Sequence, residues 1–138
     1  MDYRTTEQEV MSVSNDEVDW HIHYVNDAFG FKAQMCDCHT HGIDKHLGKE
    51  LQMILNVGPQ LSMFVLNNVG KLILTGKKFE PGDRLFGLFQ DEDMPVGFIK
   101  GKDRDGNEVL RVCLPDEHKE VFSKASGIYG KQNQNPYL

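Results

Sequence analysis

The chain has 138 residues, a formal net charge of −6 and an apolar fraction of 39%. That size fits one domain with an ordinary hydrophobic core. The acidic balance argues against a protein that coats DNA, RNA or anionic membrane, because such binders carry a basic surplus. Lys71, Lys77, Lys78 and Arg84 form only a modest local basic patch, which reads first as a solvated face.

The start, MDYRTTEQEV, is polar and acidic. It lacks the apolar run of a signal peptide. No stretch approaches the ~20 apolar residues of a membrane helix. Three cysteines, an odd number, suit a reducing compartment. The expectation is a cytoplasmic protein.

In chain order, residues 1–16 read as a polar lead-in and 17–128 as a single domain. Val18 to Val25 alternates as a half-buried strand, with Val18, Trp20, Ile22 and Tyr24 against Asp19, His21 and His23. Asn26 to Gly30 reads as a tight reversal into a second strand from Phe31 to His41. Leu51 to Val57 is a third strand. The main helix is expected over about 59–75, with Pro59 just inside its start, Gly76 just past its end, and a stripe of Leu61, Val65, Val69, Leu72 and Ile73. Leu85 to Phe89 is a fourth strand. Val96 to Lys100 and Val109 to Leu114 form a hairpin around Asp105-Gly106. A short C-terminal helix capped by Asp116 follows, and 129–138 reads as a flexible tail. The fold class is α+β, with an antiparallel or mixed sheet of about five to six strands.

The segment richest in chemistry is Cys36-Asp37-Cys38-His39-Thr40-His41-Gly42, with His46 beyond it. Thiolate and imidazole are the usual zinc ligands. On a strand, however, Cys36 and Cys38 face one way and His39 and His41 the other. A tight reversal at 26–30 would set His21 opposite residue 34 or 35. His39 would then lie about 15 Å away at ~3.3 Å per residue. The metal set this reading allows is therefore His39, His41 and His46, curled around Gly42, with zinc as the ion. The competing reading has partly buried histidines and cysteines packed as small hydrophobes, with no cofactor and no catalytic residue.

Other motifs fail on spacing. Gly70 to Lys77 has one residue too many between its glycines for a phosphate loop, and Lys78 replaces the Ser or Thr. Asp103 to Gly106 lacks the first and last ligands of a calcium loop. Asp91-Glu92-Asp93 reads as a polar loop.

The order Thr40-His41-Gly42-Ile43, Glu50-Leu51, Leu66-Asn67, Gly70, Gly76, Phe79 and Gly82-Asp83 resembles the bacterial domain-of-unknown-function family 4262, over about residues 31–115. Lys49 stands where that family often has Pro, and Cys38-His39 replaces its small and aromatic residues. The resemblance implies a small cytosolic bacterial or phage-borne protein and no established reaction.

Three functional expectations follow. The first is a non-enzymatic binding module. Its ligand is small and polar or phosphorylated, or a protein partner as in toxin immunity or phage defence. The candidate residues are His39, Thr40, His41, Gly42, Glu50, Lys77, Lys78 and Arg84. The second is a metal- or cysteine-dependent enzyme using residues 36–41. The third is an oligomeric subunit pairing through an exposed Phe86/Phe89 strand edge.

Overall fold

The computed structural model describes residues 1–30 and 34–137. Its centre is one mixed sheet in the order β1-β5-β6-β7-β4-β3-β2. The strands are β1 (Asp2–Arg4), β2 (His21–Val25), β3 (Met35–His41), β4 (Leu51–Leu55), β5 (Arg84–Phe86), β6 (Val96–Lys102) and β7 (Glu108–Cys113). The β1/β5 and β4/β7 pairs are parallel and the others antiparallel. The α+β class is as expected, with seven strands in place of five or six.

The extra strand comes from residues expected as a lead-in. Asp2, Tyr3 and Arg4 pair with Arg84, Leu85 and Phe86, and α1 (Glu7–Met11) follows, capped by the Thr6 hydroxyl. This corrects the idea of a Phe86 edge open to a second copy, because β1 covers that side of β5. Gly87 makes the closeness workable, since a Cβ there would sit 2.1 Å from the Thr5 carbonyl oxygen.

The main helix, α3 (Pro59–Leu74), starts and stops where the Pro59 and Gly76 signals place it. Its inner residues Val65, Leu66, Val69 and Leu72 are fully buried. They pack with Leu51, Met53, Phe98, Leu110 and Val112 of the sheet. Leu61 of the expected stripe is instead partly exposed. All five residues of β4 are buried, because its other face lies under the chain's C-terminal part.

That C-terminal part corrects two expectations. No α-helix forms over 116–125. The Asp116 carboxylate accepts the amides of His118, Glu120 and Ser126 and the Ser126 hydroxyl, which ties a run of turns. These bonds outweigh the cost of removing the carboxyl from water and hold it down at about 2. The regular element is a 3-10 helix at Gly127–Asn133, most of it in residues 129–138 that were expected to be tail. Gln132 is buried and bonds Leu114 in both directions, through its amide oxygen to Leu114 N and its amide nitrogen to Leu114 O.

Gly70 shows why one helix position needs glycine. A Cβ there would stand 2.4 Å from Cζ2 of Trp20, whose indole nitrogen donates to Asn67 at 2.9 Å. Alanine normally stabilises a helix interior by about 1 kcal/mol over glycine. Here overpacking of about 1–3 kcal/mol opposes it. Gly70→Ala is therefore expected to lower stability in urea unfolding. A raised midpoint would mean that Trp20 moves aside freely.

Candidate metal centre

The geometry of the site follows from how β2 meets β3. The connection between their paired segments spans residues 26–36, and Val25 pairs with Asp37. The Val25–Asp37 pair is not the register that a tight reversal at 26–30 would give. Residues 31–33, expected as the start of the second strand, lie outside the described residues. The register therefore sets His21 against His41 and His23 against His39. The expected ~15 Å separation is corrected: the two His-x-His pairs lie directly opposite each other. Both pairs have period-two spacing, so all four imidazoles share one face.

Three of them converge. His39 Nε2 lies 3.0 Å from His41 Nε2, and His41 Nε2 lies 3.1 Å from His23 Nδ1. One ligand nitrogen from each of the three falls within 4.8 Å of the other two. His21 stacks on His41 with ring centroids 5.2 Å apart. Each imidazole nitrogen carries either one hydrogen or one lone pair. His41 Nε2 thus has one bonding direction for two close nitrogens. Protons satisfy such a trio poorly, whereas a cation accepts lone pairs from all three.

An oriented carboxylate stands behind the trio. Asp37 Oδ1 lies 2.8 Å from His39 Nδ1, and the Tyr137 hydroxyl donates to Asp37 Oδ2. Asp37 is buried. Burial raises its carboxyl pKa, but the bonds from His39 and Tyr137 outweigh that and leave it below the ordinary range. The Asp37 bond raises the His39 pKa against the opposing effect of burial. With Nδ1–H held on Asp37, neutral His39 presents its Nε2 lone pair to the centre. His41 is shifted the other way, by burial and then by the neighbouring His39, His23 and His21.

His46 is not part of this group. It sits on α2 (Asp44–Leu47) with Nε2 2.9 and 3.0 Å from the Asp19 carboxylate oxygens. The structure therefore does not bring His39, His41 and His46 together; the imidazole that joins His39 and His41 is His23, placed there by the β2–β3 register. Asp37 and Tyr137 were not singled out from the sequence.

The other expected ligand residues separate into two places. Thr40, Gly42 and Glu50 form a closed joint. One Glu50 oxygen accepts from the Thr40 hydroxyl at 2.9 Å and from Ile43 N at 3.1 Å, and the other accepts from Gly42 N at 3.1 Å. Thr40 is fully buried and accepts in turn from Leu51 N. Gly42, with φ +112°, lets the chain pass Asp19 and Trp20. Lys77 is held by Glu9, the Lys78 carbonyl accepts from Tyr3, and Arg84 makes a two-bond pair with Asp2. Arg84 on β5 lies four strands from β3, or about 19 Å at ~4.8 Å per strand. The eight residues do not line one pocket.

Cys36 and Cys38 point to the opposite face and have 0% exposure, as does Cys113. Burial pushes each thiol up to about 12. Native protein at mildly alkaline pH is expected to give no reaction with a disulfide reagent such as DTNB, and three thiols should react after denaturation. Rapid labelling of one thiol in the native state would restore the cysteine-nucleophile reading.

No helix among the described residues is long and apolar enough to cross a membrane. No protein-family model, curated protein or solved structure matches the chain.

Proposed function

We propose that this domain is a metal-binding module that holds one divalent transition-metal ion, zinc, copper or nickel, on His23, His39 and His41. The reading keeps the binding-module class and makes the ligand an ion. The observation that supports it is the convergence of three imidazole nitrogens from paired strands, one of them backed by a carboxylate. Imidazole suits these ions, and a carboxylate on the remote ring nitrogen is the usual outer partner of a metal-bound histidine.

Three protein ligands leave a coordination position for water or an exogenous group. The chain's own contribution is to fix the His39 ring, to offer its Nε2 lone pair and to keep the trio on a rigid sheet. The buried, inert thiols favour an imidazole centre over cysteine chemistry. A cytoplasmic setting and membership of family 4262 belong to the same proposal and carry no part of it.

The test is calorimetric titration of metal-free full-length protein with Zn(II), Ni(II) and Cu(II), with elemental analysis of protein purified without a histidine tag. One equivalent bound at micromolar or better affinity is expected for at least one ion. Only weak binding at several equivalents would overturn the reading.

A further inference from the structure

The sheet face that carries the histidines continues into a second polar feature. The pairing His23–His39–Gln52–Arg111 runs straight across β2, β3, β4 and β7. Arg111 is 2% exposed, and a buried cation needs compensation. Its Nε donates to the Gln52 amide oxygen at 2.8 Å, and its Nη1 to the carbonyls of Gln132 and Gln134 at 3.0 and 2.6 Å. All three acceptors are neutral. Nη2 is buried and has no hydrogen-bond partner among the described residues. Leaving a charged donor unbonded in the interior costs more than leaving a neutral one.

Arg111 borders a cavity of about 200 Å³ whose other walls include Lys100, Gly101, Lys102, Asn133 and Asn135. The charged side chains of its walls are Lys100, Lys102 and Arg111 against Glu108, and the nearby Asp37 carboxylate also acts on Arg111. Glu108, the carboxylate of this wall, is already held by Lys49 and Lys100. Gly101 lets the guanidinium lie close against β6. A Cβ at that position would lie 2.9 Å from Nη2 and 3.0 Å from both Cζ and Nε, crowding the guanidinium itself.

We infer that this cavity is a binding site for a small oxyanion of the phosphate class, with Arg111 Nη2 as its central donor. Charge and size select the ligand. Arg111, Lys100 and Lys102 surround a space smaller than the roughly 300–1,000 Å³ of pockets for drug-sized molecules, which suits one phosphate group better than a nucleotide. A guanidinium matches phosphate oxygens in geometry, and charge-assisted bonds of this kind are among the stronger ones. The inference is independent of the metal reading, since it uses none of the histidines.

The experiment is calorimetry of full-length, metal-free protein with inorganic phosphate, with sulfate and acetate as parallel probes. Phosphate is expected to bind at one equivalent, sulfate more weakly and acetate weakest. Arg111→Met is the direct variant but endangers the fold. Gly101→Ala, which crowds the guanidinium and shifts Nη2, and Lys102→Ala, on an exposed residue, therefore carry the test, with circular dichroism confirming that each folds. Each is expected to bind phosphate about ten- to a hundredfold more weakly. The absence of phosphate binding by wild type in the millimolar range would overturn the site. Unchanged affinity in both folded variants would overturn it equally, by placing any binding elsewhere.

Discussion

His41→Ala is expected to weaken Zn(II) binding by more than the roughly 10- to 100-fold that follows loss of an outer-shell partner. His41 is the middle member of the trio, with Nε2 at 3.0 Å from His39 and 3.1 Å from His23. Removing it leaves the wider-spaced pair of His23 and His39, whose nitrogens lie within 4.8 Å of each other, whereas removing a flanking histidine leaves a pair at 3.0 or 3.1 Å. Asp37→Asn keeps the shape behind His39 but removes the charge, so a loss of about 10- to 100-fold is expected there. Tyr137→Phe should act in the same direction and less, since it touches the carboxylate and not the imidazole. His21→Ala serves as the control, because His21 stacks on His41 without belonging to the converging group. Calorimetric dissociation constants across these variants give the ranking directly. Equal small losses at all four histidines would mean diffuse surface binding and would reject the centre. Affinity should also fall as pH falls, because the ion must displace the proton from His39, whose pKa is raised by Asp37.

The second large effect is on stability. Glu50→Ala is expected to destabilise the fold by about 2–4 kcal/mol. The single carboxylate accepts from a buried hydroxyl and two amides at the corner where β3 leaves the sheet. Alanine strands all three donors at once. Water reaches part of the site, because Glu50 is half-buried, which keeps the loss below the sum of three fully buried donors. Glu50→Gln retains one acceptor oxygen and should fall between the two. Urea unfolding measures the difference. Zinc stoichiometry at low temperature should be unchanged in either variant, since Glu50 acts on His39 and His41 through its charge and not through a hydrogen bond. A folded Glu50→Ala protein of normal stability that had lost a ligand would instead restore Thr40, Gly42 and Glu50 as a binding site.

The sequence was most legible where local rules act alone. Pro59 and Gly76 bracket α3 because a missing N–H is harmless in the first turn and a positive φ is needed past the last. The Asp105-Gly106 turn marks the β6–β7 hairpin for the same kind of reason. Strand periodicity likewise put Cys36 and Cys38 on one face and His39 and His41 on the other. That much held, and the buried thiols agree with it.

Register between strands is a different matter. Period-two spacing says which residues share a face but not which residue stands opposite. The pairing of Val25 with Asp37, in place of a register set by a short turn at 26–30, moved His21 and His23 onto His41 and His39. Nothing local to either segment specifies that offset. The N-terminal strand and the C-terminal 3-10 helix were missed because their sequences are polar and short, and only docking on β5 and around Arg111 orders them. The same docking brings Tyr137 to Asp37 across a hundred residues of chain.

The sequence by itself thus determined the α+β class, the main helix and the two faces of the histidine strand, because each follows from contacts a few residues apart. The tertiary structure decided which histidines meet, what holds Asp37, and why Glu50 and the lysines are not one site. Those depend on strand order and register, and both are set by the burial of the central strands between α3 and the C-terminal layer.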